Sequence, residues 1–135
     1  MKSLLHTLVA IGLVLLLVAC ARRAPKPDPV VGGLYSVNAE NGRRGVAKVL
    51  AVDQPAVHVR LYRETFATVP NTITESQLTL GTIHDPGTPG IGHLPLSRDA
   101  FFRLDPQLIR QSSVTPEELE GYRYWKDAGG EGVWP

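Results

Sequence analysis

The longest apolar run in the chain, Leu4 to Cys20, lies in a stretch without Asp, Glu, Lys or Arg between Lys2 and Arg22. A basic start, an apolar block and a small residue before a cleavage point follow in secretory order. A transmembrane helix is the competing reading, since the block approaches the ~20 apolar residues that a bilayer span needs. Further along, the period shortens to two. Ala56 to Arg63 alternates strictly, with Val57, Val59 and Leu61 on one face and His58, Arg60 and Tyr62 on the other, which predicts a strand. Val46 to Asp53 is rich in β-branched residues and apolar on both sides near its middle, and Gln54-Pro55 makes the pair a hairpin. Leu34 to Ala39 predicts a short strand ahead of them, closed by the turn chemistry of Glu40 to Gly45. Leu78 to His84 predicts one more strand, with Gly81 marking a bulge or a close approach.

His84 to Leu96 holds three glycines and three prolines, a composition that predicts a loop without regular structure. Loops carry function more often than strands, so this is the first place to look for a site. The last third reads as helical. Asp105-Pro106 predicts an N-cap and first helical residue, opening one or two turns that bury Leu108 and Ile109. Val114-Thr115-Pro116-Glu117-Glu118-Leu119 has a capping box, a proline that needs no donor and a hydrophobic staple. It predicts a helix from there to about Ala128, stopped by Gly129-Gly130, with Leu119, Tyr122, Trp125 and Ala128 facing a sheet. Gly121 inside that helix implies close packing against a neighbour.

Residues 33–135 suffice for one domain with one core. Gly 13 and Pro 11 favour short elements and many turns, and no internal repeat is visible. The expected class is α+β: a small twisted antiparallel sheet or partial barrel followed by one or two C-terminal helices. A strand, a glycine turn and a hairpin after Tyr35-Ser36-Val37 resemble the start of small SH3-like barrels.

Leu17-Val18-Ala19-Cys20 resembles the lipobox of bacterial lipoproteins. The resemblance implies a signal peptide over 1–19 and a diacylglycerol on the Cys20 thiol, with the mature chain starting at Cys20. Two or three acyl chains anchor stably where one does not, since each buried methylene adds roughly 0.8 kcal/mol. It also implies an extracytoplasmic place in the cell envelope, with the outer membrane favoured in a Gram-negative host because Ala21 replaces the Asp of inner-membrane retention. Residues 20–32 then form a tether whose alternate prolines, Pro25, Pro27 and Pro29, favour an extended spacer. Arg22, Arg23 and Lys26 lie where anionic head groups would be. Cys20 is the only cysteine, so no disulfide forms within the chain.

Charge narrows the partners. Setting aside Lys2, Arg22, Arg23, Lys26 and Asp28 leaves ten basic against twelve acidic residues, which gives no electrostatic footprint for nucleic acid. His84, Asp85 and His93 are weak candidates for a metal or hydrolytic site, since imidazole and carboxylate suit zinc, but their spacing fits no zinc pattern. Ser97 lacks a nucleophile elbow and reads as a helix N-cap. Tyr62, Tyr124 and Trp134 are the candidate partner-binding residues, as exposed aromatic groups suit a protein or glycan. The sequence therefore points to a non-enzymatic envelope module that binds a protein or cell-wall partner and needs no cofactor. The alternative is a small hydrolase or metal-dependent enzyme using the His/Asp loop.

Overall fold

The computed structural model describes residues 25–135; the signal segment, Cys20, Arg22 and Arg23 lie outside the described residues. In chain order the elements are β1 (Gly33–Asn38), β2 (Arg44–Val52), β3 (Ala56–Phe66), β4 (Ile91–Ser97), α1 (Arg98–Arg103), β5 (Gln107–Gln111) and α2 (Glu120–Asp127). The strands form one open five-stranded sheet in the order β4-β3-β2-β1-β5, and every pairing within it is antiparallel. The fold is α+β, with one helix at the C-terminus. No helix among the described residues is long and apolar enough to cross a membrane.

The expected hairpin forms, with Val49 opposite Val59 and Val52 opposite Val57. Alternation in β3 divides the core as the sequence implies. On one face Val57 and Val59 join Tyr35, Val37, Ala47, Val49, Leu96 and Phe101, roofed by α1. The Phe101 ring meets Tyr35 edge to face at 5.5 Å. On the other face Leu34 and Val46 pack with Ile73 and Leu78, contributed by the long β3–β4 connection. Burying apolar side chains on both faces explains why β2 reads as nearly continuous in hydrophobicity.

Four expectations need correction. The stretch His84 to Leu96 holds β4, because Ile91 to Ser97 pairs along β3 and an edge strand tolerates Pro95. Leu78 to His84 is irregular: Leu78 is buried, but only Thr79 bonds alongside β3, its carbonyl accepting from Arg63 N at 3.0 Å. The close approach at Gly81 is real, since a Cβ there would lie 2.6 Å from Arg63 Nη1.

Asp105-Pro106 opens no helix. Asp105 sits at φ 51°, a left-handed turn geometry, and Pro106 leads into β5, where Leu108 is 52 % exposed. Arg44 enforces that turn by donating to the Asp105 carbonyl at 2.8 Å and to Ser36 Oγ on β1 at 2.8 Å. The capping box of Thr115 and Glu118 forms, at 2.8 and 3.3 Å, but it closes a turn that precedes α2. The stop at Gly129-Gly130 holds, with both glycines at positive φ. Ser97 caps α1, accepting from Ala100 N at 3.1 Å.

The end of the expected tether is fastened to the domain. Val30 N donates to the Tyr35 hydroxyl at 2.9 Å and Gly32 N to the Val49 carbonyl at 2.8 Å. Arg98 is hydrogen-bonded to Asp28, and Lys26 Nζ lies 4.9 Å from the Phe102 ring centroid.

Candidate functional site

A cleft of about 540 Å³ lies between the β1–β2 turn, the second half of β3 and the segment Pro86–Ile91. Val37, Val46, Leu61 and Leu104 give it an apolar lining, with Glu40, Arg43 and Thr65 adding polar groups, while Tyr62 borders it with its hydroxyl beside Arg60, Glu75 and Glu118. Two arginines brace its margins. Arg43 Nε donates to Thr65 Oγ1 at 2.8 Å, tying the turn to β3. Arg63 Nη2 donates to the Pro86 carbonyl at 2.6 Å while Nη1 pairs with Asp85 at 3.1 Å, tying the glycine- and proline-rich segment to the same strand. Two short, polar-linked segments on a rigid sheet make a preformed concavity of the size that small ligands or peptide side chains fill.

The structure disperses some of the candidate residues and joins others. Tyr62 and the segment Pro86–Ile91 line the cleft together. Burial, and then Glu75 and Glu118, push the Tyr62 hydroxyl up to about 12, so it remains a neutral donor. Tyr124 is 67 % exposed on α2 and Trp134 is 62 % exposed at the edge of β4. Among the described residues no ring contact links those two to Tyr62. The loop triad does not assemble either. Asp85 accepts from Thr82 N at 2.6 Å, and that bond holds its carboxyl below the usual range, while His93 lies in β4 turned towards His58. Among the described residues no three His, Cys, Asp or Glu side chains group to hold a metal ion.

Sequence reasoning missed two polar clusters, both on the sheet face that carries His58 and Arg60. In the first, Lys48, only 1 % exposed, donates to Ser113 O at 2.8 Å and to both Glu118 oxygens, and pairs with Glu75 at 2.5 Å. Arg60 approaches Glu118 at 3.5 Å. Burial works against the Glu75 carboxylate, but hydrogen bonds from Lys48 and Ser112 outweigh it and hold its pKa low. Two cations and two carboxylates thus bind β2, β3, the turn at Glu75–Gln77 and the chain before α2 into one unit. A lysine inside the apolar run of β2 was the available signal.

The second cluster centres on His58, whose side chain is fully enclosed. Its Nδ1 lies 3.0 Å from His93 Nε2. The ring centroids are 5.2 Å apart and the planes differ by 8°. That separation is the nitrogen distance plus two ring radii, so the rings meet edge to edge, as an N–H···N bond requires. His58 Nε2 has no hydrogen-bond partner and faces Asp53 Oδ2 at 3.6 Å. A bare lone pair there would oppose the carboxylate, which selects His58 protonated on Nε2 and His93 donating from Nε2. Tyr122 and Trp125 of α2 close over His58 at 4.7 and 4.6 Å between centroids. Tyr122 also donates to Asp53 at 2.8 Å. Burial, then His93, lowers the His58 pKa to about 4, and burial lowers that of His93. Asp53 and His93 flank opposite nitrogens of His58, so the three lie in a line and do not converge on one cation.

No family model matches the chain, and neither a curated protein nor a solved structure matches it; the placement of its own side chains is what supports a functional reading.

Proposed function

We propose that the chain is a lipid-anchored, extracytoplasmic binding module of the bacterial envelope, fixed through Cys20 and presenting its cleft to a protein or cell-wall partner. The observation that carries this reading is the cleft itself: a concavity of about 540 Å³ that unites Tyr62 with the glycine- and proline-rich segment. Its margins are held by Arg43 and Arg63, so little ordering remains to oppose binding. The lipobox resemblance supplies the anchor, and the outer membrane is the favoured site in a Gram-negative host. The hydrolytic or metal-dependent alternative has less support, because His93 is engaged with His58 rather than with His84 and Asp85.

Two measurements test the proposal. Metabolic labelling with a fatty acid marks the native chain and leaves Cys20→Ser unmarked; equal labelling of both removes the anchor. A photoreactive residue at position 62 or 91 in intact cells yields a discrete adduct, while one at exposed Asp99, outside the cleft, does not. Adducts from all three positions alike, or from none, overturn the cleft as the binding surface.

A further inference from the structure

The C-terminal stretch from Glu120 to Pro135 is thinly held. Helix α2 contributes no buried residue, and its attachments converge on one place. Tyr122 and Trp125 lie on the His58 ring, Tyr122 bonds Asp53, and a Cβ on Gly121 would lie 2.6 Å from His93 Cβ. Beyond the helix, Trp125 Nε1 donates to the Glu131 carbonyl at 2.5 Å. The tail then lays Trp134 parallel to Leu96, with Trp134 N on Pro95 O at 2.9 Å and Ser97 N on Trp134 O at 2.7 Å. The tail thereby occupies the outer edge of β4.

We propose that this segment is an acid-released clasp: it stays closed over the sheet while the Asp53–His58–His93 line is neutral at its imidazoles and opens when they take up a proton. The geometry allows one hydrogen between His58 Nδ1 and His93 Nε2, so a pair protonated at all four nitrogens sets two N–H groups head to head. A single added proton must be carried as a buried imidazolium, a charged form that an apolar enclosure disfavours.

Every charged or titratable group facing His58 bears on this balance. Asp53, in the β2–β3 turn, attracts the cation but is already shared with the Tyr122 hydroxyl and with Lys126 at 3.9 Å. Lys126, on α2, and His93, on β4, repel it. The remaining neighbours, Tyr122 and Trp125, belong to the clasp. Lifting α2 is the movement that brings water to both rings while disturbing no strand pairing of the sheet.

The experiment follows amide hydrogen exchange in the full lipid-bearing chain in detergent, corrected for intrinsic chemistry, from about pH 7.5 to about pH 4.5. Protection at Arg123 and Ala128 falls by about tenfold or more to nearly none, while Val49 and Val59 stay strongly protected, lowered only by the proton uptake that release itself accounts for. The midpoint coincides with the NMR titration of His58 and His93. His93→Gln keeps a donor for His58 Nδ1 but leaves one titrating ring where there were two, so release depends less steeply on pH. Flat protection of α2, complete loss of protection in α2 and the sheet together, or a midpoint away from the histidine titration overturns the proposal. If His93→Gln does not fold, the coincidence of midpoints in the unaltered chain decides.

Discussion

Lys48 Nζ donates to both carboxylate oxygens of Glu118, at 2.9 and 2.8 Å, from a side chain only 1 % exposed. The pair joins the centre of β2 to the turn that launches α2, so it couples the sheet to the C-terminal segment. Buried pairs give little net stability over an apolar substitute, yet removing one partner strands the other. Lys48→Met therefore loses about 3 to 5 kcal/mol in urea unfolding. The double variant Lys48→Met, Glu118→Leu recovers part of that loss. If the double variant is as unstable as the sum of its singles, Lys48 and Glu118 do not act as a pair.

Gly121 gives a second expected outcome. Helix propensity alone favours alanine by about 1 kcal/mol. The added Cβ would lie 2.6 Å from the Cβ of His93, a strand atom that cannot swing aside. Overpacking of this kind costs about 1 to 3 kcal/mol, so Gly121→Ala is destabilising on balance. A rise in melting temperature would mean that α2 does not rest on β4 there.

Stability depends on pH through His58. Its folded pKa is lowered to about 4 from an ordinary 6.5, so the unfolded chain binds the proton more readily. Stability is then full above the ordinary value, declines as pH falls through the window from about 6.5 to about 4, and levels off below it. The shift corresponds to about 3 kcal/mol, readable from denaturant midpoints at several pH values. A midpoint that stays constant across that window contradicts an enclosed neutral His58.

Arg63 predicts a local effect. Its bonds to Asp85 and Pro86 hold one margin of the cleft, and its side chain is 23 % exposed. Such an ion pair contributes about 1 kcal/mol or less to global stability. Arg63→Ala accordingly leaves the unfolding midpoint nearly unchanged while amides around Thr82 and Asp85 exchange faster. Unaltered exchange there would show that the segment holds itself.

What the sequence revealed, and what it hid, follows from the range of the interactions. The hairpin of β2 and β3 was legible because Val57, Val59 and Leu61 alternate with His58, Arg60 and Tyr62, a signal internal to one strand. Ser97 and Thr115 announced their hydrogen bonds for the same reason. β4 and β5 were not legible. Ile91 to Ser97 becomes a strand by pairing with β3, and Gln107 to Gln111 by pairing with β1, whose residues lie far away in sequence. Asp105-Pro106 has a cap's composition, and the Arg44 bonds that turn it otherwise come from β2. The cleft was half legible: the glycine- and proline-rich segment stood out, whereas its junction with Tyr62 depends on Arg63. The line from Asp53 through His58 to His93 crosses a turn and two strands, so no local spacing encodes it.

The docking of Lys26 and Asp28 onto α1 shortens the leash. In the lipidated form that we propose, only the residues between Cys20 and Lys26 are left to bridge domain and bilayer, and fully extended they reach about 20 Å. That is less than the breadth of a small domain. The globule would ride close to the lipid with the α1 side nearest it, its swivel confined to a narrow cone, and a partner would have to come to the membrane surface to meet it.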